Sequence, residues 1–247
     1  MERDFLDRIE EAALSAWPAP REVLYDGWLL RFADGYSKRV NAVNVRYPSR
    51  LPLEEKISTC EAVYARQGLP ILYRLPEPFT SPDINLALAR RGYVKFDPTL
   101  VLGRAIHADT ELPHGMEIRQ FSVEDWIALR AELTETPLSE WETHQAILRV
   151  IVPEKVLMGV VVRGQPVACG MGVRDGAFLG YFSIFTASSA RRRGVGRVMM
   201  TALTQWGVNQ GASFGYLQVE GDNEPALAMY KKLGFETCYR YWYSKRE

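Results

Sequence analysis

The chain is poor in residues that build covalent or metal-held frameworks. Cysteine occurs three times in 247 residues, at Cys60, Cys169 and Cys238. An odd, scattered set argues against a disulfide framework and fits a reducing compartment. Histidine is as scarce: His107, His114 and His144 are isolated and lack metal-ligand spacing, so no metal site is expected. There is no excess of charge, because Lys plus Arg and Asp plus Glu both number 30. No global positive field exists to gather nucleic acid or an anionic membrane, and any basic site must be local. No uninterrupted apolar run approaches the roughly 20 residues needed to cross a bilayer. In residues 1–17 acids interrupt every apolar stretch, which reads as an amphipathic helix and not a signal peptide. A soluble, cytoplasmic protein is expected. What is present, 47% hydrophobic and 24% charged residues, suits one large or two small globular domains.

From the middle of the chain onward the pattern is regular. Residues 116–121 read as a strand, Ser122 caps a helix with early acids Glu124 and Asp125, and a second helix is expected over 139–150. Residues 156–162 and 167–173 form a hairpin around Arg163-Gly164-Gln165-Pro166, and Asp175-Gly176 turns the chain into a third strand over 178–186. Val195, Val198, Met199, Ala202, Leu203 and Trp206 recur at helical spacing up to Gly211. A strand (214–219), a short helix (225–233) stopped by Gly234 and a final strand (235–243) complete the order. This succession predicts a mixed α/β sheet.

The chain also repeats itself. Arg66-Gln67-Gly68-Leu69-Pro70-Ile71-Leu72-Tyr73 parallels Asn209-Gln210-Gly211-Ala212-Ser213-Phe214-Gly215-Tyr216. In the same order, Leu86-Ala87-Leu88-Ala89-Arg90-Arg91-Gly92-Tyr93 parallels Ala228-Met229-Tyr230-Lys231-Lys232-Leu233-Gly234-Phe235 with one residue dropped. Two similar domains are expected, 1–107 and 113–247.

The sharpest local signal is Arg191-Arg192-Arg193-Gly194-Val195-Gly196-Arg197, directly after a strand and at a helix start. Backbone N–H groups there have no intrahelical partner and lie at the positive end of the helix dipole, so they can hold a phosphate. Met199 stands where a dinucleotide fingerprint needs its third glycine, and no Gly-Lys-Ser/Thr follows as in a nucleoside-triphosphate loop. Behind this loop comes Asn223-Glu224-Pro225-Ala226-Leu227-Ala228-Met229-Tyr230-Lys231-Lys232-Leu233-Gly234-Phe235. Together, Arg191, Gly194, Gly196, Asn223, Ala226, Tyr230, Gly234 and Phe235 match the paired signature of the GNAT superfamily of N-acetyltransferases, which residues 115–247 resemble.

The resemblance implies a mostly antiparallel GNAT-type sheet flanked by helices, present twice in tandem, and acetyl-CoA as acyl donor. The amides of Arg192, Arg193, Gly194, Val195, Gly196 and Arg197, with Arg191, would hold the coenzyme A pyrophosphate. The main chain of Ile184, Phe185 and Thr186 would pair with the pantetheine arm as an added strand, and Asn223 would contact the same arm. Tyr230 would protonate the departing thiolate; its other reading is an aromatic packed on a core-facing helix. Many members use a carboxylate on the strand before the loop as general base, but residues 178–186 contain no acid. Glu220 is the nearest candidate, with a solvated rim acid, a water chain or an already neutral amine as alternatives.

The first half resembles a second GNAT-type domain that has lost its cofactor chemistry. Pro48-Ser49-Arg50-Leu51-Pro52-Leu53 stands in place of the arginine-glycine loop, without glycine and with two prolines, and Leu88 stands in place of Tyr230. Arg39, Asn41 and Asn44 are unusually polar for a strand and either line a cleft between the halves or hydrogen-bond within a bent segment. The expected activity is direct acetyl transfer from acetyl-CoA to a primary amine of a small molecule or protein, the alternative being a non-catalytic acyl-CoA sensor. No nucleic-acid or membrane partner is expected, and a homodimer is compatible with the sequence.

Overall fold

The computed structural model describes residues 1–107 and 115–246. The junction expected between 107 and 113, and His114 with it, falls at 108–114, outside the described residues. The first half runs α1 (Arg3–Ala16), β1 (Arg21–Tyr25), β2 (Trp28–Phe32), β3 (Val43–Val45), α2 (Leu53–Arg66), β4 (Tyr73–Pro76), α3 (Pro82–Arg90) and β5 (Tyr93–Ala105). The second runs β6 (Glu117–Gln120), α4 (Val123–Thr134), α5 (Glu142–Val150), β7 (Glu154–Val162), β8 (Gln165–Asp175), β9 (Phe178–Thr186), α6 (Val195–Asn209), β10 (Phe214–Glu220), α7 (Glu224–Lys232) and β11 (Glu236–Arg246).

Local chemistry explains the element boundaries. Ser122 accepts from the Asp125 amide at 3.1 Å and caps α4, while Asn223 accepts from the Ala226 amide at 3.2 Å and caps α7. Gly234, at φ +80°, ends α7 in the left-handed region that glycine enters without steric cost. The helix expected from 139 starts later: after Pro137, Leu138–Trp141 forms a 3-10 turn and α5 begins at Glu142. The β7–β8 turn is tighter than expected. Arg163 and Gly164, both at positive φ, make a two-residue connection, and Gln165 already belongs to β8.

One eleven-stranded sheet runs in the order β1-β2-β3-β4-β11-β5-β10-β9-β8-β7-β6. Its ladders are antiparallel except β3–β4 and β9–β10, the two pairs that a helix, α2 or α6, crosses over to connect. The repeated sequence blocks therefore occupy equivalent places: the ends of α2 and α6 lead into β4 and β10, and α3 and α7 lead into the last strand of each half. Those last strands are exchanged. β5 lies between β10 and β11, and β11 lies between β4 and β5, so each half completes the sheet of the other.

The N-terminal helix deepens the joint. Its apolar stripe, Leu6, Ile9, Ala12, Ala13 and Ala16, is buried and belongs to a core shared with β8, β9 and β11. Phe5 meets Phe214 edge-on at 4.9 Å. On the same helix Glu10 is fully buried, pairs with the buried Arg74 of β4 and accepts from the Tyr239 hydroxyl of β11. Burial alone raises the Glu10 carboxyl, but Arg74 and then Tyr239 outweigh it and hold the group below the usual carboxylate range. At the other end of α1, Arg31 donates to the carbonyls of Leu14 (2.8 Å) and Trp17 (3.1 Å). It supplies the cation that the last turn of the helix lacks.

Candidate active site

The site begins where two parallel strands part. The β9–β10 ladder ends at Tyr181↔Leu217, yet β9 continues to Thr186 and β10 to Glu220. Ser183, at φ +53°, makes a bulge opposite Gly170, and this bends the end of β9 away from its neighbour. Beyond the bulge Phe185 still pairs with Cys169 of β8. The edge of Ile184, Phe185 and Thr186 that faces β10 pairs with no strand among the described residues. A second bulge, at Asp97 (φ +52°) and Pro98 in β5 opposite β11, lies on the far side of the same opening.

The arginine-glycine loop follows β9. None of the amides of Arg192, Arg193, Gly194, Val195, Gly196 and Arg197 has an acceptor at hydrogen-bond distance among the described residues. Gly194 sits at φ +80°, where a side chain would be strained. A Cβ at Gly196 would come within 3.0 Å of Met229 Sδ, so this glycine lets α6 approach α7. The arginines differ in posture. Arg191 folds back, its Nε donating to the Thr186 carbonyl at 3.2 Å. Arg192 and Arg193 are exposed, and Val195 is 2% exposed, so it can contribute only its main chain. Arg197 joins Arg104, His107 and Lys232 around a groove of about 390 Å³ between α6, α7 and the end of β5.

A larger cleft of about 590 Å³ lies at the parting of the strands, and both halves line it. From the second half come Ile184, Glu220, Asn223 and Tyr230; from the first come Arg39, Asp97 and Thr99, and α1 is followed into its wall by Trp17. Tyr230 is 8% exposed, and burial pushes its phenol up to about 12. It therefore stays protonated throughout the neutral range. The Asn223 side-chain oxygen is committed to its cap, which leaves the NH₂ for a ligand. Of the cleft carboxylates, Asp97 is paired with Lys38, whereas Glu220 is exposed and has no ion-pair partner among the described residues.

Several lining groups were not singled out from sequence. His144 of α5 is 2% exposed and its Nδ1 lies 2.6 Å from the Tyr36 hydroxyl. Burial, reinforced by Arg130, lowers its imidazole to about 3. The ring is therefore neutral through the neutral range, with Nδ1 engaged by the Tyr36 hydroxyl. Arg130 crosses from α4 to donate to the Ser183 carbonyl at 2.8 Å, supporting the bulge. The proximity of Arg130, Asp97 and His144 depends on the crossing of helices and bulged strands, which no local pattern encodes. Arg39 enters the cleft, but Asn41 and Asn44 do not. Asn41 accepts from the amides of Ala33 (2.9 Å) and Gly35 (3.0 Å) and donates to the Ser37 carbonyl (2.8 Å). Asn44 donates to the Ala42 carbonyl at 3.0 Å. Both satisfy bent backbone.

An uncharacterized N-acetyltransferase of Bacillus subtilis, YobR, is 28% identical over 97% of this chain and 98% of its own length. A mycothiol acetyltransferase of Jonesia denitrificans is 28% identical over 65% of this chain and 58% of its own length. A GCN5-related N-acetyltransferase from Kribbella flavida superposes with a TM-score of 0.74 at 18% identity, covering 97% of this chain and 95% of that one. A tandem GNAT protein from the clavulanic acid biosynthesis pathway superposes at 0.67 with 12% identity, over 82% and 74%; these two likenesses concern the fold. The family model described as probable histone acetyltransferase Rv0428c C-terminal matches residues 6–244, across both halves, and the chain therefore belongs to that acyltransferase family within the GNAT superfamily.

Proposed function

We propose that the chain moves the acetyl group of acetyl-CoA directly to a primary amine in the cleft between its halves. The observation that carries this reading is the parting of β9 from β10 beside a loop whose amides have no internal acceptor, with Tyr230 in the same cleft. The amides of 192–197 suit a pyrophosphate, and Arg197, Arg104 and Lys232 add cations for the remaining phosphate charge. The unpaired edge of Ile184, Phe185 and Thr186 suits the amide-bearing arm, and the Asn223 NH₂ suits one of its carbonyls.

Acetyl-CoA supplies the acyl thioester, and the protein holds and moves protons. Glu220 is the group that takes the ammonium proton, directly or through water, so that nitrogen forms its bond to the acyl carbon as the carbon–sulfur bond breaks; the second nitrogen proton ends on the departing sulfur, giving the amide, the free thiol and a protonated Glu220. Tyr230 donates to the leaving sulfur. Full transfer from a phenol near 12 to a free thiolate, whose acid is near 8.5, is uphill by roughly 5 kcal/mol. Its main contribution is thus a hydrogen bond to developing charge. A cytoplasmic setting fits the three unpaired thiols, two of them buried.

Calorimetry tests the reading. One coenzyme A is expected to bind per chain and to raise the melting temperature by mass action, and thiol release is expected with at least some primary amines. No binding at saturating acetyl-CoA would end it.

A further inference from the structure

The buried side-chain atoms of the cleft that lack a partner have one chemical character. Arg39 Nε, Arg130 Nε, Gln218 Nε2 and His144 Nε2 are enclosed without a hydrogen-bond partner, and all four residues line the same cleft. The three on Arg39, Arg130 and Gln218 are N–H donors. His144 Nε2 becomes a fourth when Nδ1 accepts from Tyr36. No cleft residue has a comparably enclosed, unpartnered oxygen among the described residues. Enclosed arginine Nε atoms without a partner also occur away from the cleft, at Arg46, Arg74 and Arg174, so this set is consistent with a ligand that brings acceptors but does not by itself single one out.

Charge points the same way. Lys38 is neutralised by Asp97, which leaves Arg39 and Arg130 against the single carboxylate of Glu220. Arg130 is already committed to the Ser183 carbonyl and stacks near Trp141 at 5.0 Å. Arg39 has neither an ion pair nor a hydrogen bond among the described residues. Its placement is nevertheless fixed: it sits in the 3-10 turn Lys38–Val40, which the buried Asn41 ties to Ala33, Gly35 and Ser37. Arg39 and Gln218 flank one residue. The Tyr241 hydroxyl donates to Gln218 Oε1 at 2.9 Å and so turns the unpartnered NH₂ away from itself. Burial raises the Tyr241 phenol, but the Arg39 charge, followed by that of Arg74, outweighs it and lowers it.

We propose that the acceptor is a small amine of the amino-acid class, whose carboxylate is held by the Arg39 guanidinium while its amino group faces Glu220 and Tyr230. This rests on the transfer reading above. A planar carboxylate accepts two parallel N–H bonds from a guanidinium, and the cavity is large enough for such a molecule beside the acyl end of the donor. Arg39 comes from the Lys38–Val40 turn of the first half, whereas the edge proposed for the pantetheine arm and the phosphate loop both belong to the second, so Arg39 is assigned to the acceptor.

The test is a panel of α- and ω-amino acids and their carboxamides, assayed by thiol release from acetyl-CoA. The amides carry the less basic and more available amine, so intrinsic reactivity works against the expected result. The acids are expected to exceed the amides in kcat/KM at least tenfold, mainly through KM. Arg39→Gln should bring that ratio close to one, and Arg39→Lys should recover part of it. A ratio near one in the unaltered protein, a ratio unchanged by Arg39→Gln, or a coenzyme A affinity that falls as much as the ratio does would overturn the assignment. If no amine releases thiol, the transfer reading fails. Calorimetry of N-acetyl-β-alanine and its amide against the coenzyme-A-loaded protein then decides the Arg39 site on its own: binding of the acid that Arg39→Gln removes upholds it, and no binding, or binding indifferent to Arg39, overturns it.

Discussion

Two loops at equivalent places in the two halves have been put to opposite uses. After β9, the loop amides of 192–197 have no acceptor among the described residues. After β3, the amides of Arg50 and Leu51 both donate to the carboxylate of Asp26, at 3.0 Å for Leu51. Asp26 projects from the β1–β2 turn, is 8% exposed and also meets the buried Lys56 at 3.4 Å. The first half thus carries a covalently attached anion where the second presents donors to an external one. A satisfied cradle contributes to folding, whereas an unsatisfied one is maintained for a ligand.

The largest effect expected from this difference is at Gly194. Gly194→Glu adds a carboxylate beside the amides and strains a position at φ +80°, and coenzyme A binding should fall below detection by calorimetry. Gly194→Asn, which tolerates the left-handed region, should lose much less. Arg50→Glu, at a side chain 95% exposed in the other loop, should leave the affinity unchanged. A comparable loss from Arg50→Glu would mean that the wrong loop has been assigned.

A second test concerns what the halves share. Glu10→Ala removes one partner of the buried Glu10–Arg74 pair and should cost about 3–5 kcal/mol in chemical denaturation. Because the folded-state Glu10 carboxyl lies below its unfolded value, its contribution is present above about pH 4.3 and disappears as pH falls through the folded value. Glu10→Gln should accordingly flatten the acid limb of the stability profile. Separate unfolding of the halves would show that the exchanged strands do not couple them.

Tyr230 and its counterpart Leu88 supply a third contrast. Tyr230→Phe keeps the packed ring and removes the donor, so kcat should fall about 10²-fold or more while coenzyme A affinity changes little. Equal loss of both would reduce Tyr230 to packing. With the phenol near 12, the rate of the unaltered enzyme should show no basic limb from this residue below about pH 11.

Local chemistry made the second-half elements legible: the Ser122 cap, the Gly194 turn and the Asn223-to-Phe235 helix follow from nearest-neighbour rules. The repeated blocks revealed the tandem arrangement. The exchange of β5 and β11 was hidden, because either strand could satisfy its ladder in its own half and the choice rests on pairing more than a hundred residues apart in sequence. For the same reason Arg39 could not be separated from Asn41 and Asn44. All three are polar residues in one short segment, and only the folded turn decides which points inward. Asp26 gave no signal beyond a common Asp-Gly turn, since its partners Arg50 and Leu51 are defined by their backbone.

The smallest effect expected is also the most direct probe of the contrast between loops. Asp26→Ala releases the amides of Arg50 and Leu51 and leaves the buried Lys56 without its carboxylate. The melting temperature should fall, because the buried Lys56 is left without its carboxylate, while the exposed amides of Arg50 and Leu51 can turn to water. If Asp26 stands in for a bound anion, inorganic phosphate at millimolar concentration should restore part of the loss in Asp26→Ala by mass action and leave the unaltered protein almost unmoved. Coenzyme A should still bind once per chain, since Pro52 cannot donate and Leu88 replaces the phenol. A phosphate response of equal size in both proteins would show that the carboxylate fills no anion cradle, and a second coenzyme A in Asp26→Ala would show that Asp26 alone silenced the first half.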